Sequence, residues 1–200
     1  MKKIILILIM ISFCTIFSDT KIIVDSKMTL KEALKGTKAP KEILDEQILL
    51  DVEYFGFDNK LHRGQLVIHK AVKDDIKEAF ELLKRIKFPL KKVIPIVKYK
   101  WNDNKSMADN NTSAFNYRKI ANSNKLSNHS FGRAIDFNPF QNPAVYNDGK
   151  ISPKGAVYDE KALGTLTPTS ELTVFFKERG WRWGGDWTSL KDYQHFDKVE

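Results

Sequence analysis

The stretch SNHSFGRAIDFNP, residues 127–139, places His129 seven residues ahead of Asp136. Successive side chains alternate along a straight strand, so an odd spacing sends these two to opposite faces. Both face a single ion only if the chain bends between them, and Gly132 lets it bend. A second stretch, DYQHFD at residues 192–197, sets Asp192 three residues before His195. At that spacing one side chain reaches an ion while the other reaches a water on it. Two histidines and one carboxylate form a ligand set that zinc accepts, with a fourth position left for water. That open position separates a catalytic from a structural site. On spacing alone, a lone His–Asp pair satisfied at the surface or in the core is the competing reading.

Working outward, residues 102–128 are polar and rich in Asn and Ser, with Tyr117 and Arg118 embedded. They read as a long ordered loop or a loop with a short helix, and loops of that length usually carry function. Upstream, ILLDVEYFGF (48–57) is β-rich, DNKLHRG supplies turn residues, and the strand resumes at Gln65, which reads as a β-hairpin. Val72, Ile76, Ala79, Phe80, Leu83 and Ile86 recur at three- and four-residue steps, predicting an amphipathic helix over 71–87 that Pro89 closes. KKVIPIVKYKW (91–101) has β-branched content but carries Pro95, which suggests an edge strand. Downstream, Thr167-Pro168 reads as a cap and first turn, and Leu172, Phe175 and Phe176 form an apolar face before Gly180 stops the helix. Residues 21–47 are a short lead-in in which Leu30, Ala33 and Leu34 share one helical face.

The first twenty residues are unlike the rest. Lys2 and Lys3 lead into the apolar run from Ile4 to Phe13, and Ser18, Asp19 and Thr20 follow. This is the pattern of a secretory signal peptide over 1–20, and the run falls short of the roughly 20 apolar residues that a spanning helix needs. Export to the periplasm or the extracellular space is therefore expected. Neither Ile16 nor Ser18 makes a clean cleavage site, and the alternative is a lipoprotein leader with a lipid anchor at Cys14, against which Phe13 argues. Cys14 is the only cysteine, so the folded part has no internal disulfide. The formal charge of +8 falls to +7 once two Lys and one Asp leave with the leader. A basic surface gains on-rate toward polyanions, and outside the cytoplasm these are wall polymers, lipid headgroups and stray nucleic acid.

The pattern S-x-H-x-x-G-x-A-x-D, here Ser127 to Asp136, and D-x-x-H, here Asp192 to His195, resemble those of the D-alanyl-D-alanine carboxypeptidase and L-alanyl-D-glutamate endopeptidase family of zinc peptidases. FNYR (115–118) and GWRWGGDW (180–187) extend the resemblance, which covers roughly 48–200. With no internal repeat and no Gly/Ser linker, the chain reads as a single α+β domain from about residue 24 to 200, and the resemblance implies a zinc peptidase domain over 48–200, a small antiparallel sheet flanked by helices, with a Hedgehog/DD-peptidase-like zinc site on the sheet. It implies one Zn2+ on His129, Asp136 and His195, Asp192 as general base, and Arg118 as the cation facing the substrate carbonyl. Ser127 either fixes the loop before His129 or bonds substrate backbone. The shorter Asp192, where some members carry Glu, leans toward the endopeptidase branch. The substrate so implied is a peptidoglycan stem peptide, and loops 102–128 and 140–168 would set which bond is cut. The alternative is a catalytically silent, zinc-stabilised cell-wall-binding module, against which the retained Asp192 and Arg118 argue.

The remaining residues read plainly. His62 in a turn and His69 at a strand end have no carboxylate at a telling distance and are taken as structural or solvent-facing. Trp181, Trp183 and Trp187 read as a packed corner of the core. KKVIPIVKYKW reads as a solvated edge, not a nucleic-acid platform. A monomer is expected.

Overall fold

A computed structural model describes residues 22–121 and 123–199. The leader and Cys14 lie outside the described residues. The lead-in holds β1 (Ile23–Val24) and two single-turn helices, α1 (Leu30–Ala33) and α2 (Lys41–Leu44). Thr29 starts α1 with a reciprocal box, its side chain accepting from Glu32 N–H while Glu32 accepts from the Thr29 N–H. The β-rich text folds into the hairpin β2 (Gln47–Phe55) and β3 (Leu61–His69), antiparallel from Gln47 opposite His69 to Phe55 opposite Leu61. β1 joins the outer edge of β3 in parallel.

Alternation along the hairpin explains its two neighbours. Leu50, Val52, Tyr54, Leu66 and Ile68 face α3 (Lys73–Arg85), which buries Ile76, Ala79, Phe80 and Leu83 against them. Val67 faces the other way and packs with Ala33 of α1 and with Phe115. Asp74 and Asp75 sit in the first turn of α3 and Lys84 and Arg85 in its last, each complementing the helix dipole.

The turn of the hairpin is tighter than its composition suggests. Leu61, His62 and Arg63 lie in β3 rather than in the turn, because each finds a partner there. His62 Nδ1 lies 2.8 Å from Asp25 Oδ2 and its Nε2 lies 3.1 Å from Asp58 Oδ1, while Arg63 pairs with Glu53 across the ladder. His62 is thus structural as expected, but through two carboxylates that lie 37 and 4 residues away in sequence. Glu46 likewise lies 3.7 Å from His69.

KKVIPIVKYKW yields only β4 (Lys92–Val93), followed by a 3-10 turn over Ile96–Tyr99 that Pro95 opens. Pro95 has no N–H for a ladder, and Asn111 stands in for a paired strand at Ile94, accepting from its N–H and donating to its carbonyl. After α4 (Asp103–Ala108), β5 (Asn111–Thr112) pairs in parallel with β4. The described part of 102–128 is therefore a loop with one short helix, as expected, and one short strand that was not expected.

The C-terminal half comprises β6 (Ala134–Asp136), β7 (Ala144–Tyr146), β8 (Ile151–Ser152), α5 (Glu171–Glu178), β9 (Arg182–Trp183), β10 (Leu190–Asp192) and β11 (His195–Asp197). These form two antiparallel sheets, ordered β6-β11-β9 and β10-β7-β8. α5 is capped one turn later than expected. Ser170 is the extended residue before it, and Thr167 donates its N–H to the Ser170 hydroxyl in a turn ahead of the helix. Leu172 and Phe176 are fully buried. Phe176, Phe137 and Phe196 meet with ring centroids 4.8–6.0 Å apart, and Trp181 and Trp183 close the cluster. The same core runs on to the hairpin and α3.

The class is α+β, as the pattern predicted, but one small antiparallel sheet becomes several. Apart from the hairpin each strand has two or three residues, and the β1–β3 and β4–β5 pairings are parallel. No helix among the described residues is long and apolar enough to cross a membrane.

Candidate metal centre

His129 lies in a 3-10 turn (Asn128–Phe131) and Asp136 ends β6, with Gly132 between them at φ 68°. The left-handed conformation at Gly132 reverses the chain, which is how seven residues bring the two side chains to one side. Gly132 also presses on the hairpin: its carbonyl accepts from the His69 N–H at 2.9 Å, and a Cβ there would stand 2.6 Å from that nitrogen. His195 pairs directly opposite Asp136 in the β11–β6 ladder. Alternation sends Ile135 and Phe196 into the core and leaves Asp136, His195 and Asp197 on the opposite face.

The three buried side chains converge. His129 Nε2 lies 3.1 Å from His195 Nδ1 and 3.2 Å from Asp136 Oδ2, and His195 Nδ1 lies 3.0 Å from Asp136 Oδ1. Two ligands on a tetrahedral zinc, each about 2.05 Å from it, stand about 3.3 Å apart. The two nitrogens stand 3.1 Å apart and each lies 3.0–3.2 Å from its own Asp136 oxygen, close to that spacing, so the residues present fit a small divalent ion held on one face. Among the described residues this is the group whose donors could hold a metal together.

The far side of each imidazole is also engaged. His129 Nδ1 donates to the Ala114 carbonyl at 2.6 Å, which leaves its Nε2 lone pair facing the triangle. His195 Nε2 faces Asp197 Oδ2 at 3.4 Å, which leaves Nδ1 facing inward. Burial works to raise the Asp136 carboxyl, but the charge of His129 and bonds to both histidines outweigh it and hold the group well below the usual carboxylate range. Burial works to lower the His195 imidazole, and Asp136 and Asp197 overcome it, pushing it up to about 10. The triangle therefore attracts positive charge strongly, and a metal ion competes there with a proton.

The centre lies in a cleft of about 450 Å³. Asp192, at the end of β10, lines it and is partly exposed there. Burial, with the like charge of Asp136, pushes its carboxyl up to about 6 against the opposing pull of His195, and Gln194 Nε2 donates to its Oδ1 at 3.1 Å. Gly184 carries no side chain where the turn after β9 meets Asp192; a Cβ would stand 2.4 Å from the Asp192 carbonyl. Arg118 also lines the cleft, paired through Nη2 with Asp103 Oδ2 at 3.0 Å. Ser130 positions it, accepting from the Arg118 N–H and donating to its carbonyl. Ser127 accepts from the His129 N–H at 3.3 Å as the cap of the 3-10 turn, and it lines the cleft as well. All six residues singled out in the sequence thus meet in one cleft.

Trp187 departs from expectation. Trp181 and Trp183 are core, donating to Asp75 and to the Tyr193 carbonyl, but Trp187 is half-buried in the cleft wall with its ring 5.1 Å from that of His195. Asp103, Gln194 and Asp197 were not anticipated. Asp197 was within reach of the strand period, two residues beyond His195; Asp103 sits fifteen residues from Arg118 in a loop and gives no sequence signal.

Residues 121–198 match the sequence model of a family described as D-alanyl-D-alanine carboxypeptidase. The match supports membership of that peptidase family. It spans His129, Asp136, Asp192 and His195 and covers under half of the chain, leaving the hairpin, α3 and Arg118 outside. At family level it supports a peptidase of D-alanyl-D-alanine cell-wall peptides. No solved structure matches the chain.

Proposed function

We propose that this chain is an exported zinc peptidase that hydrolyses an amide bond of a peptidoglycan stem peptide, of the D-alanyl-D-alanine carboxypeptidase or L-alanyl-D-glutamate endopeptidase type, on a Hedgehog/DD-peptidase-like scaffold. The single observation that carries the reading is the convergence of the buried donors of His129, Asp136 and His195, 3.0–3.2 Å apart, beside a carboxylate, Asp192, that the ligand set does not use.

His129 Nε2, His195 Nδ1 and one Asp136 oxygen would hold the ion. When bound, zinc supplies a water acidified to a pKa of about 7 and a polarised scissile carbonyl. Asp192, raised by burial, would accept a proton from the attacking water and pass it to the leaving amine. Gln194 holds one Asp192 oxygen and leaves the other for the water. Arg118, with Asp103 fixing its outer edge, presents positive charge to the carbonyl oxygen as negative charge develops there. Ser127 holds the His129 turn in place. Tyr146 and Met107, from the 140–168 and 102–128 stretches, form part of the wall against which the flanking groups of the peptide lie. The signal-peptide pattern at 1–20 accounts for delivery to such a substrate, as a secreted or lipid-anchored protein.

An Asp192→Asn variant tests this against the zinc-stabilised binding module. It removes the base and leaves the three ligand donors. The chain should keep its zinc and its thermal midpoint while muropeptide cleavage, read by mass spectrometry of the fragments, falls by about 10²–10⁴. Undiminished cleavage would overturn the assignment of Asp192.

A further inference from the structure

A carboxylate outside the ligand triangle joins the two histidine-bearing segments. Asp197 lies two residues beyond His195 on β11, so both project from the same face, and Ala134, the residue paired with Asp197, is small enough to leave that face open. Its Oδ2 faces His195 Nε2 at 3.4 Å. The same oxygen accepts from Asn128 Nδ2 at 2.7 Å, and Asn128 is the residue immediately before His129. Arg182, across the β11–β9 ladder, closes the arrangement with a two-pronged fork, Nε to Oδ1 at 2.8 Å and Nη2 to Oδ2 at 2.7 Å. Asp197 is only 2% exposed, whereas the Arg182 side chain is 56% exposed.

A buried carboxylate needs partners, and this one has three, drawn from three separate segments. Two of the three lead to histidines of the triangle. The imidazole has two nitrogens, and the hydrogen bond made by one decides which is left to bind a metal. With Asp197 Oδ2 the carboxylate oxygen facing His195 Nε2 at 3.4 Å, the tautomer protonated at Nε2 is favoured, and Nδ1, the atom 3.0 Å from Asp136, is left to face the ligand group. The fork from Arg182 fixes the plane of the Asp197 carboxylate, since the guanidinium is planar and bonds both oxygens. The bond to Asn128 holds the start of the 3-10 turn at a set distance from β11, and hence His129 at a set distance from His195.

We infer that Asp197, clamped by Arg182, is a positioning residue that fixes the tautomer of His195 and ties the His129 turn to the His195 strand, so that metal affinity depends on a carboxylate that does not touch the metal. This rests on the metal centre proposed above. Outer partners of metal-bound histidines typically change affinity by about 10- to 100-fold when removed, and Asp197 serves both histidine segments at once.

The test uses the full chain and reads metal rather than turnover. Zinc affinity is measured by competition with a chromophoric chelator for the wild type, Asp197→Asn and Arg182→Gln, and the visible bands of the cobalt-substituted chains report the ligand geometry. Far-UV circular dichroism establishes that each chain is folded. Asp197→Asn is expected to bind zinc about 10- to 100-fold more weakly, with altered cobalt bands, and Arg182→Gln to lose less in the same direction. Arg182 is exposed and lies beyond the buried carboxylate, so its variant carries the test if Asp197→Asn does not fold. Folded variants that bind zinc within about twofold of wild type, with unchanged cobalt bands, overturn the inference while leaving the metal centre standing. A wild-type chain that binds no zinc overturns both.

Discussion

Replacing Gly132 with alanine strikes the point where the His129 turn meets the hairpin. Two costs add. At φ 68° an L-residue with a Cβ is disfavoured by about 1–2 kcal/mol. The added Cβ would also stand 2.1 Å from Gln47 Oε1 and 2.6 Å from the His69 backbone nitrogen. The Gln47 oxygen ends a flexible side chain, although that side chain is buried and its amide donates to the Ile43 and Phe131 carbonyls. The His69 nitrogen belongs to β3 and has nowhere to go. Overpacking of this kind costs about 1–3 kcal/mol. The total is about 2–5 kcal/mol, which for a chain of this size lowers the thermal midpoint by roughly 4–20 °C. Gly149→Ala is the matched control. Its φ is 83°, and nothing lies within 4 Å of the added carbon, so only the backbone cost of about 1–2 kcal/mol applies. Both variants are compared by urea and thermal unfolding, with zinc affinity measured alongside. Gly132→Ala should lose more stability than the control and bind zinc more weakly, because the turn that carries His129 must shift. Equal losses for the two glycines would refute the claim that close approach at Gly132 positions the site.

Two further outcomes follow from the site and the core. Asp192 acts as a base only when ionised. Burial pushes its carboxyl up to about 6, and a bound divalent cation draws it down. kcat/KM should therefore fall with acidification, tenfold per unit below a midpoint between the ordinary carboxylate value of about 4 and about 6; a rate that stays flat to below about pH 4 would contradict a carboxylate in this role. Phe176→Ala empties the centre of the aromatic cluster with Phe137, Phe196 and Trp181, and should cost about 3–5 kcal/mol in denaturant unfolding.

What could be read beforehand divides along physical lines. The hairpin, α3 and the core-facing Phe176 announce themselves because long elements repeat their period several times, and burial of one face leaves a regular trace. His129, Asp136 and His195 came together as a set through the family resemblance of two local motifs; spacing alone left a satisfied His–Asp pair as the competing reading, and Gly132 marks the bend that the odd spacing requires. The splitting of the β structure into several small sheets was not legible, since strands of two or three residues carry no period to detect. Pro95 marks a break in any ladder, but the expected edge strand shrinks to Lys92–Val93, and nothing in the sequence shows that Asn111, sixteen residues on, supplies the missing bonds at Ile94. The partners of His62 and Arg118 were hidden for a common reason: Asp25 and Asp103 are ordinary carboxylates in sequence, and only the fold decides which cation or imidazole each one meets. Trp187 shares its composition with the buried Trp181 and Trp183, and what separates it is its place after the 3-10 turn at Gly184–Asp186.

The central claim is metal-dependent cleavage of cell-wall peptide, and zinc reconstitution tests it most directly. The full chain, stripped of metal by a chelator, is titrated with zinc while purified muropeptides are incubated and their fragments weighed. Cleavage should be absent from the stripped chain and rise to a plateau at one zinc per chain. Loss of a terminal D-alanine would identify a carboxypeptidase, and a cut between L-alanine and D-glutamate an endopeptidase. Fragments that appear equally with and without zinc would contradict the account, as would a chain that binds one zinc and releases nothing.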